Sequence, residues 1–278
     1  MQKIIVIVGP TASGKSSLAV KLAKKLKGEV ISADSRQVYK GLDIGTGKIT
    51  KKEMQGVPHH LLDVASPKKV FTANEFVELG RKAIDDIISR GKMPIICGGT
   101  GFYIDALLGR IALPAVPPNP KLRAQLAKKT AAQLFAMLTK LDPRRAKDID
   151  AQNPVRLIRA IEIAKALGNV PASKPEPLPY AIEWIGLKPD EKKLRTKIHK
   201  RLHDRMKSGM LREAGRLHNA GLSYKRMDQL GLEYRYLALR MQKKIDKAAM
   251  LEKLENEIWQ YAKRQLTYFK KNPEIEWR

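Results

Sequence analysis

Short, strongly apolar runs recur along the chain between longer amphipathic segments. Each run holds four to six residues, is rich in Val or Ile, and is followed closely by glycine or a polar residue. Runs of this kind are typical of strands that are buried on both faces of a parallel sheet. The pattern predicts four such strands, at residues 4–8, 29–33, 94–97 and 182–187.

Helical periodicity lies between the first three of these strands. Leu18, Leu22 and Leu26 recur every four residues with lysines on the opposite side, which predicts an amphipathic helix that Gly28 ends. A second apolar stripe predicts a helix over residues 73–90. Because strands and helices alternate, we expect an α/β fold in which helices flank a parallel sheet.

The pattern changes after residue 112. Proline-rich connectors at 113–120 and 171–179 enclose residues 121–168, whose apolar spacing is helical, and the chain is again almost wholly helical from residue 190 to Phe269. This order predicts a small helical domain inserted into the α/β domain, followed by a helical C-terminal region. The predicted parts are 1–112 for the first part of the core, 113–179 for the insertion, and 180–278 for the return strand and C-terminal helices.

Positive charge is high and unevenly distributed. The 278 residues include 54 Lys and Arg against 28 Asp and Glu, a formal net charge of +26. Residues 121–174 carry a net charge of +8, as much as residues 1–120, and residues 188–278 carry +12. A lysine-rich solubilising surface would spread its charge evenly, so this distribution favours an anion-binding surface in the second half.

Composition also excludes several classes of protein. Cys97 is the single cysteine and cannot form an internal disulfide, which excludes a disulfide-stapled secreted protein and favours a reducing compartment. No apolar run approaches the length that spans a bilayer. The run after Met1 is short and lacks the cleavage site of a signal peptide. We therefore expect a cytoplasmic protein that binds no membrane.

Residues 9–16 match G-x-x-x-x-G-K-[ST], the P-loop pattern, and lie between a predicted strand and a predicted helix as that motif requires. Glycine lets the loop curl so that its N–H groups point at phosphate oxygens, and the helix N-terminus adds positive potential. Lys15 adds a full charge, and the Ser16 hydroxyl can ligate Mg²⁺. The sequence therefore predicts a P-loop NTPase-like sheet, with a di- or triphosphate site made of Gly9, Pro10, Thr11, Ala12, Ser13, Gly14, Lys15 and Ser16.

The acidic residue that accompanies this loop is less obvious. A P-loop ATPase normally uses an acidic residue to hold Mg²⁺, but the strand at 94–97 leads into Gly98-Gly99-Thr100-Gly101. Asp34 follows the second strand and would face the same crevice. It could accept a proton from a nucleophile or bind Mg²⁺ through water, or it could merely cap a turn. The segment 98–101 is equally open to two interpretations, a second lip of the crevice or a tight glycine turn.

Several other reactive residue types have simpler structural interpretations. His59 and His60 are adjacent but have no third close ligand, which favours a hydrogen-bonding role over a metal site. Cys97 lies in an apolar strand, where a thiol is typically an unreactive part of the core. We expect Trp184 and Trp259 to be core residues as well.

Three basic segments in the second half could contact a polyanion. Each alone is typical of a solvated helix face, but the three together, with the net charge, favour contacts with a nucleic acid backbone. They are Arg156 with Arg159 one helical turn later, the four-residue repeat Lys197, Arg201 and Arg205, and residues 261–270, where basic and aromatic side chains alternate.

Several motifs, in one order along nearly the whole chain, resemble the tRNA dimethylallyltransferase family, the bacterial tRNA isopentenyltransferases. Apart from the P-loop each motif is weak alone, but together they are specific. They are Asp34-Ser35-Arg36-Gln37-Val38-Tyr39, Pro58-His59-His60-Leu61-Leu62-Asp63, Gly98-Gly99-Thr100-Gly101-Phe102-Tyr103, Asn153-Pro154-x-Arg156-x-x-Arg159-Ala160, Gly209-Met210-Leu211-x-Glu213 and Ala262-Lys263-Arg264-Gln265-Leu266-Thr267.

The resemblance implies that the chain transfers a dimethylallyl group from dimethylallyl diphosphate to a tRNA. The acceptor is N6 of the adenine immediately 3′ of the anticodon, in tRNAs that read codons beginning with U. No ATP is used, because the P-loop and Mg²⁺ hold the diphosphate of the donor. Chemistry on a base of the anticodon stem-loop requires that base to leave its stack. We expect the enzyme to act as a monomer.

The resemblance also implies roles for individual residues. Asp34 would bind the exocyclic amine and take its proton, while Thr11, Lys15 and Arg201, with Mg²⁺ on Ser16, would stabilise the departing diphosphate. Thr100 would contact the tRNA near the acceptor base. The implied tRNA contacts are Asp34, Ser35, Arg36, Gln37, Thr100, Arg156, Leu157, Ile158, Arg159, Ala160, Lys263, Arg264, Gln265, Thr267 and Lys270.

Three positions depart from the family pattern. Ser16 replaces the commoner threonine, a neutral change for Mg²⁺ binding. Lys197 stands where the family often has arginine, so a bidentate contact is not expected there. Residues 231–235 (Gly-Leu-Glu-Tyr-Arg) replace the usual Gly-Tyr-Lys-Glu, and we transfer no catalytic role to them.

Two other functions fit part of the sequence. A P-loop kinase of a nucleoside or small metabolite accounts for residues 9–16 but leaves the basic helical half without a purpose. A non-enzymatic RNA-binding protein switched by a nucleotide accounts for the charge but not for Asp34 in the crevice.

Overall fold

In the part of the chain that the structure describes, six parallel strands form one sheet in the order β3-β2-β4-β1-β5-β6. The four strands that apolar runs predict are present, and two further strands of two residues each lie at the edges. Such short edge strands leave no apolar run to detect. The strands are β1 Lys3–Val8, β2 Gly28–Ala33, β3 His59–His60, β4 Met93–Gly98, β5 Ala181–Gly186 and β6 Glu276–Trp277.

The computed structural model describes residues 2–171 and 178–278, and helices dominate this part of the chain. None of these helices combines the length and apolarity needed to cross a membrane. They are α1 Lys15–Leu26, α2 Lys51–Met54, α3 Ala73–Ser89, α4 Gly101–Leu107, α5 Pro120–Leu126, α6 Ala131–Leu141, α7 Pro143–Asp148, α8 Pro154–Leu167, α9 Glu191–Lys207, α10 Met210–Asn219, α11 Tyr224–Leu230, α12 Leu232–Met241 and α13 Lys247–Phe269.

Helices cover both faces of the sheet, which confirms the predicted α/β fold with flanking helices. Successive residues of β1 point to opposite faces, so Ile5 and Ile7 pack in one apolar cluster with Ala19 and Ala23 of α1. Ile4 belongs to a larger cluster on the other face, which includes residues of α3, α4 and the helices from α9 to α13. Both faces of β1 are therefore buried, as its unbroken apolar run predicts.

The predicted end of α1 is wrong by one residue. Lys27, not Gly28, takes the left-handed conformation that ends the helix, with φ +51°. Gly28 is instead the first residue of β2, where a Cβ would lie 2.6 Å from the carbonyl oxygen of Met93 on β4. The glycine is therefore required by the close approach of two strands rather than by the helix terminus.

The chain divides into two compact units, one made of Met1–Gly109 with Pro177–Arg278 and the other of Arg110–Glu176. The second, helical unit lies where the sequence predicts an insertion at 113–179. Of its predicted connector at 171–179, residues 172–177 lie outside the described residues.

Local signals determine where the helices of this second unit begin. Within its described residues, 110–171, four helices each have an N-cap side chain that accepts a hydrogen bond from the backbone N–H three residues later, and proline is the first residue of three of these helices. The apolar sides of these helices form a separate small core, which includes Leu126, Leu134, Leu138, Leu157 and Ile161.

The strand order brings three loops together at one edge of the sheet. β4 lies between β1 and β2, and parallel strands end on the same side. The P-loop after β1, Asp34 after β2 and the glycine-rich segment after β4 therefore meet at this edge.

Candidate active site

The loop between β1 and α1 has the backbone of a phosphate-binding turn. Gly9 (φ +146°) and Gly14 (φ +97°) adopt conformations that other residues rarely take, and Ala12 is also left-handed. A Cβ on Gly9 would lie 2.6 Å from the carbonyl oxygen of Leu187, so glycine is needed there for space as well. Helix α1 begins at Lys15, and its first N–H groups open on this loop.

Lys15 places its ammonium group within this loop. Its Nζ donates a hydrogen bond to the carbonyl oxygen of Pro10 at 2.6 Å. Burial lowers the pKa of Lys15 to about 8; repulsion from Arg201 acts in the same direction, while Cys97 and Asp34 oppose it. A bound anion would add a negative charge beside this ammonium and favour its protonated form.

Arg201 on α9 is a second cation beside Lys15. Its Nη2 donates to the carbonyl oxygen of Gly47 at 2.8 Å, and burial together with Arg205 lowers the pKa of the guanidinium. Lys197, one helical turn earlier, is exposed and lines the same cavity. Arg205, one turn later, is paired instead with Glu233 at 2.8 Å. The predicted basic repeat therefore divides between the cavity and an internal ion pair.

Asp34 caps a turn and lines the cavity at once. Its Oδ1 accepts hydrogen bonds from the backbone N–H groups of Arg36 at 2.8 Å and Gln37 at 3.2 Å, while the Gln37 side-chain amide lies 3.4 Å from Oδ2. The two interpretations left open by the sequence are therefore compatible. Oδ1 fixes the turn, whereas Oδ2 accepts one long hydrogen bond from the Gln37 side chain, and the residue lines the cavity.

The glycine-rich segment after β4 is also both a tight turn and a wall of the cavity. A Cβ on Gly98 would lie 2.1 Å from the carbonyl oxygen of Ala33, which only glycine permits. Thr100 accepts a hydrogen bond at its Oγ1 from the backbone N–H of Ser35 at 3.1 Å. The loop that carries Asp34 is thereby tied to the loop after β4.

Gln265 on α13 joins this segment to the P-loop. The backbone N–H of Thr11 donates to Gln265 Oε1 at 2.8 Å, and Gln265 Nε2 donates to the carbonyl oxygen of Gly99 at 3.0 Å. The residue is 6% exposed. The structure thus places Gln265, for which the resemblance implies an RNA contact, inside the cavity wall, with its amide bonded within the protein.

Tyr261 is a cavity residue that the sequence reasoning missed. It lies one helical turn before Gln265, and burial and the negative charge of Asp34 raise the pKa of its hydroxyl, so that it is neutral. The available signal was helical spacing: positions 261 and 265 share one face of α13. The mixture of basic and aromatic residues at 261–270 concealed that face.

These groups enclose a cavity of about 330 Å³. Within the described residues, Ser13 Oγ and His59 Nε2 are buried at its wall without a hydrogen-bond partner. Burial lowers the pKa of His59, so its imidazole is neutral. Buried polar atoms are nearly always satisfied, so these two atoms indicate that a ligand or water completes the site.

Comparisons with known proteins identify the family. The sequence model of the IPP transferase family matches residues 37–272. The chain belongs to the IPP transferase family. It is 44% identical to tRNA dimethylallyltransferase 2 of Citrifermentans bemidjiense, over 96% of this chain and 86% of that protein, and 43% identical to the protein of that name from Trichlorobacter lovleyi, over 96% and 88%.

Solved structures of IPP transferases share the fold. The full-length tRNA isopentenylpyrophosphate transferase of Bacillus halodurans is 35% identical, with a TM-score of 0.75 over 100% of this chain and 90% of that one. A eukaryotic dimethylallyltransferase acting on tRNA is 27% identical, with a TM-score of 0.81 over 97% of this chain and 70% of that one. The family and the α/β fold are therefore established together.

The segment at 156–160, for which the resemblance implies tRNA contacts, lies on α8 of the helical unit and is only partly exposed. Arg156 is exposed and Ile158 is half-buried, whereas Leu157 and Ala160 belong to the small core. Arg159 is half-buried, pairs with Glu162 and donates to the carbonyl oxygen of Val116 at 2.9 Å. Arg156 is thus the more available of the two predicted arginines.

Glu162 is the anion that organises this region of the helical unit. It is 2% exposed and accepts hydrogen bonds from Arg123 Nε and Nη2, at 2.9 and 2.7 Å, and from the backbone N–H of Asn119 at 2.6 Å. Burial alone would raise the pKa of Glu162, but these bonds and Arg159 lower it to about 2. Part of the charge at 121–174 is therefore neutralised internally.

The C-terminal half of α13 presents the other predicted RNA contacts. Lys263, Arg264, Thr267 and Lys270 are exposed, in contrast to Gln265. On the other side of the cavity, residues 34–37 are all half-buried. The structure thus separates the predicted contacts into exposed residues on α13 and its C-cap and less accessible groups at the cavity edge.

The remaining sequence interpretations concern structural residues. His60 Nε2 lies 2.7 Å from Glu29 Oε2, the hydrogen-bonding role that the sequence predicts. Trp184 and Trp259 are buried. Cys97 lines the cavity, but burial raises the pKa of its thiol to about 11, so it is unreactive at neutral pH. Tyr234, within the segment 231–235, is buried and donates to Glu213 Oε1 at 2.7 Å.

Proposed function

We propose that this chain transfers a dimethylallyl group from dimethylallyl diphosphate to N6 of the adenine 3′ of the anticodon, in tRNAs that read codons beginning with U, with release of diphosphate. The observation that carries the proposal is one cavity with two opposed kinds of group: a P-loop with Lys15 and Arg201, and the carboxylate of Asp34. The printed names of its relatives, tRNA dimethylallyltransferases, support the same reaction.

The diphosphate binds at the P-loop in this proposal. Lys15 and Arg201 supply charge, the loop N–H groups and Thr11 supply hydrogen bonds, and the unpartnered Ser13 hydroxyl supplies another donor. Negative charge grows on the leaving diphosphate as the C–O bond of the donor breaks. Donors fixed in advance around that charge lower the barrier, because they need not reorganise during the reaction.

Mg²⁺ is the metal that the donor set fits. Ser16, Asp34 and Glu53 all line the cavity and offer hydroxyl and carboxylate oxygens, which Mg²⁺ prefers. We propose that Ser16 is a ligand. A bound Mg²⁺ would neutralise part of the charge on the diphosphate.

Asp34 acts as the proton acceptor. The turn uses its Oδ1, so Oδ2 is the oxygen that would accept the hydrogen bond of the adenine N6 amine. As the new C–N bond forms at N6 and the C–O bond of the donor breaks, the N6 proton passes to Oδ2. Thr100, bonded to the loop that carries Asp34, contacts the RNA next to the acceptor base.

The tRNA binds along exposed basic surfaces in this proposal. Lys263, Arg264 and Thr267 of α13, with Lys270 at its C-cap, contact the backbone of the anticodon stem-loop, and the helical unit contributes Arg156. A cavity built from one chain is compatible with a monomer. Light scattering of the enzyme with and without tRNA tests that state.

One assay tests the reaction itself. The protein is incubated with Mg²⁺, labelled dimethylallyl diphosphate and bulk tRNA, without ATP. We expect label in the RNA, located at the adenine 3′ of the anticodon. No transfer, together with ATP turnover on a small acceptor, would instead identify a P-loop kinase.

Substitution of Asp34 tests the assignment of the base. Asp34→Asn keeps an oxygen that can cap the turn but cannot take the proton, so we expect transfer to fall by roughly 10²- to 10⁴-fold with tRNA affinity unchanged. Asp34→Ala removes the cap as well and serves as the comparison. Transfer near the wild-type rate in Asp34→Asn would eliminate Asp34 as the base.

A further inference from the structure

A cluster of metal-ligating side chains lies outside the active-site cavity, on the seam between α9 and α13. His199 and His203 come from α9, and Glu255 comes from α13. One ligand atom from each residue lies within 4.8 Å of the other two. The His199 Nδ1 and Glu255 Oε2 atoms are 2.9 Å apart, and the two imidazole rings have centroids 4.3 Å apart.

The residue types and their spacing suit a transition metal. Two histidines at positions i and i+4 of a helix present their rings on one face, and two histidines with one carboxylate form a common ligand set for Zn²⁺. Ligands of a tetrahedral Zn²⁺ with bonds of about 2.0–2.1 Å lie about 3.3 Å apart. Side-chain rotation over short distances would therefore bring the three atoms to coordination distance.

The packing of the two helices fixes this arrangement. Each of the three residues directly follows a buried core residue: Ile198, Leu202 and Leu254 respectively. The three ligands thus lie at the edge of the apolar contact between α9 and α13, where the packing of the helices fixes their backbone positions. The side chain of His199 remains 58% exposed and that of Glu255 36% exposed, so an ion can enter and keep a water ligand.

We propose that His199, His203 and Glu255 bind a divalent transition-metal ion, with Zn²⁺ as the best fit, and that the ion holds α9 to α13. The same two helices carry Arg201 and Gln265 into the cavity. A metal that links them would stabilise the wall on which both side chains stand. This transition-metal site is separate from the Mg²⁺ site proposed at Ser16, where oxygen ligands suit a different kind of ion.

The test uses full-length protein without a histidine tag, freed of metal with a chelator. We expect isothermal titration to show about one Zn²⁺ bound per chain, and Co²⁺ to give visible absorption bands of a tetrahedral or five-coordinate site. Zn²⁺ should raise the melting temperature in the presence of excess Mg²⁺, because an ion that binds the folded state stabilises it.

His203→Ala is the decisive variant, since it retains the hydrogen bond between His199 and Glu255 while removing one ligand. We expect Zn²⁺ affinity to fall at least about tenfold, since even outer-shell partners of a metal contribute that much. His218→Ala is the matched control: His218 lies on α10 and contacts the carbonyl oxygen of Leu222. The Zn²⁺ affinity of His218→Ala should equal that of the wild type.

Glu255→Gln provides an independent variant that should also lose Zn²⁺ binding, and metal-free melting curves show whether either variant folds. Wild-type protein that fails to bind Zn²⁺ or Co²⁺ overturns the proposal. Equal Zn²⁺ affinity in His203→Ala and the wild type also overturns it, because the ion would then occupy other groups, such as His59 and His60.

Discussion

The cavity of the α/β unit and the surface of the helical unit hold positive charge in different ways. In the α/β unit, Lys15 and Arg201 are partly or largely buried, each donates to a backbone carbonyl, and burial lowers the pKa of both. In the helical unit, residues 121–174 hold 12 Lys and Arg against 4 Asp and Glu, and Arg156 is exposed. Glu162 neutralises Arg123 and Arg159 in place.

This difference indicates two kinds of anion recognition. A buried cation held by hydrogen bonds fits one anion in one geometry, so it should respond strongly to a single lost contact and to pH. An exposed field of cations attracts a polyanion by the sum of its charges, so it should respond weakly to each substitution and strongly to salt. The following predictions test that contrast.

Among the tests of this contrast, the largest effect is expected for Gln265→Leu. Leucine has a similar volume but removes the bonds to the Thr11 N–H and the Gly99 carbonyl, leaving both groups without a partner. The P-loop and the segment after β4 would then no longer be held together around the diphosphate, so kcat/KM for dimethylallyl diphosphate should fall roughly ten- to hundred-fold. Steady-state kinetics at saturating tRNA measures the change.

Gln260→Leu is the control for this substitution, since residue 260 is exposed on the same helix. The same chemical change there should leave kcat/KM unchanged. Equal tRNA affinity in both variants would confine the effect to the donor site. A Gln265→Leu enzyme within two-fold of the wild type would show that the bridge has no part in diphosphate binding.

The next largest effect is expected in the pH dependence of kcat/KM for dimethylallyl diphosphate. Lys15 binds diphosphate as a cation, and burial lowers its pKa to about 8 from the ordinary 10.5, so the cation is lost as pH rises through about 8. We expect kcat/KM for dimethylallyl diphosphate to be about tenfold lower at pH 9 than on its plateau. The profile of kcat should extend to higher pH, because bound diphosphate restores the charge.

Lys15→Arg checks the origin of this alkaline limb. Arginine stays charged throughout the range, so the variant should be slower but lose the fall above pH 8. If kcat/KM of the wild type falls only near pH 10, the pKa of Lys15 is close to its ordinary value, and its ammonium is not desolvated as the structure indicates.

Much of the α/β unit is predictable because its signals are local. The apolar runs of β1, β2, β4 and β5 and the spacing of Leu18, Leu22 and Leu26 each describe one element. The strands β3 and β6 are not predictable in this way, since their two residues pair only because a neighbouring strand is already present. The need for glycine at position 28 is equally unpredictable from local pattern, because it arises from the close approach of Met93 in another strand.

The residues of the candidate site likewise divide into those that a local pattern predicts and those that only the tertiary fold brings in. The P-loop is a contiguous motif, and Asp34 follows from its place at a strand end. Gln265 and Tyr261 lie more than 200 residues beyond the P-loop, and only the packing of α13 brings them to it. Sequence pattern assigned the region 261–270 to RNA contact as a block, whereas the helix turns one face inward and another to solvent.

The smallest effect is expected for Arg156→Ala in the helical unit. Arg156 is exposed, so its removal should lower tRNA affinity only a few-fold and reduce the slope of log affinity against log salt by about one. Filter binding or fluorescence anisotropy over a range of KCl concentrations measures both quantities. Kinetics with saturating tRNA should show no change in KM for dimethylallyl diphosphate, because the P-loop contacts are untouched.

Lys165→Ala removes one positive charge from the opposite side of α8. Positions 156 and 165 are nine residues apart, and nine steps of about 100° amount to two and a half turns of the helix. It should leave the salt slope nearer the wild-type value than Arg156→Ala does. Equal losses in both variants would mean that the helical unit acts through its net charge alone, with no preferred face. A salt-independent affinity in the wild type would go further, because it would leave the excess charge of residues 121–174 with no part in tRNA binding.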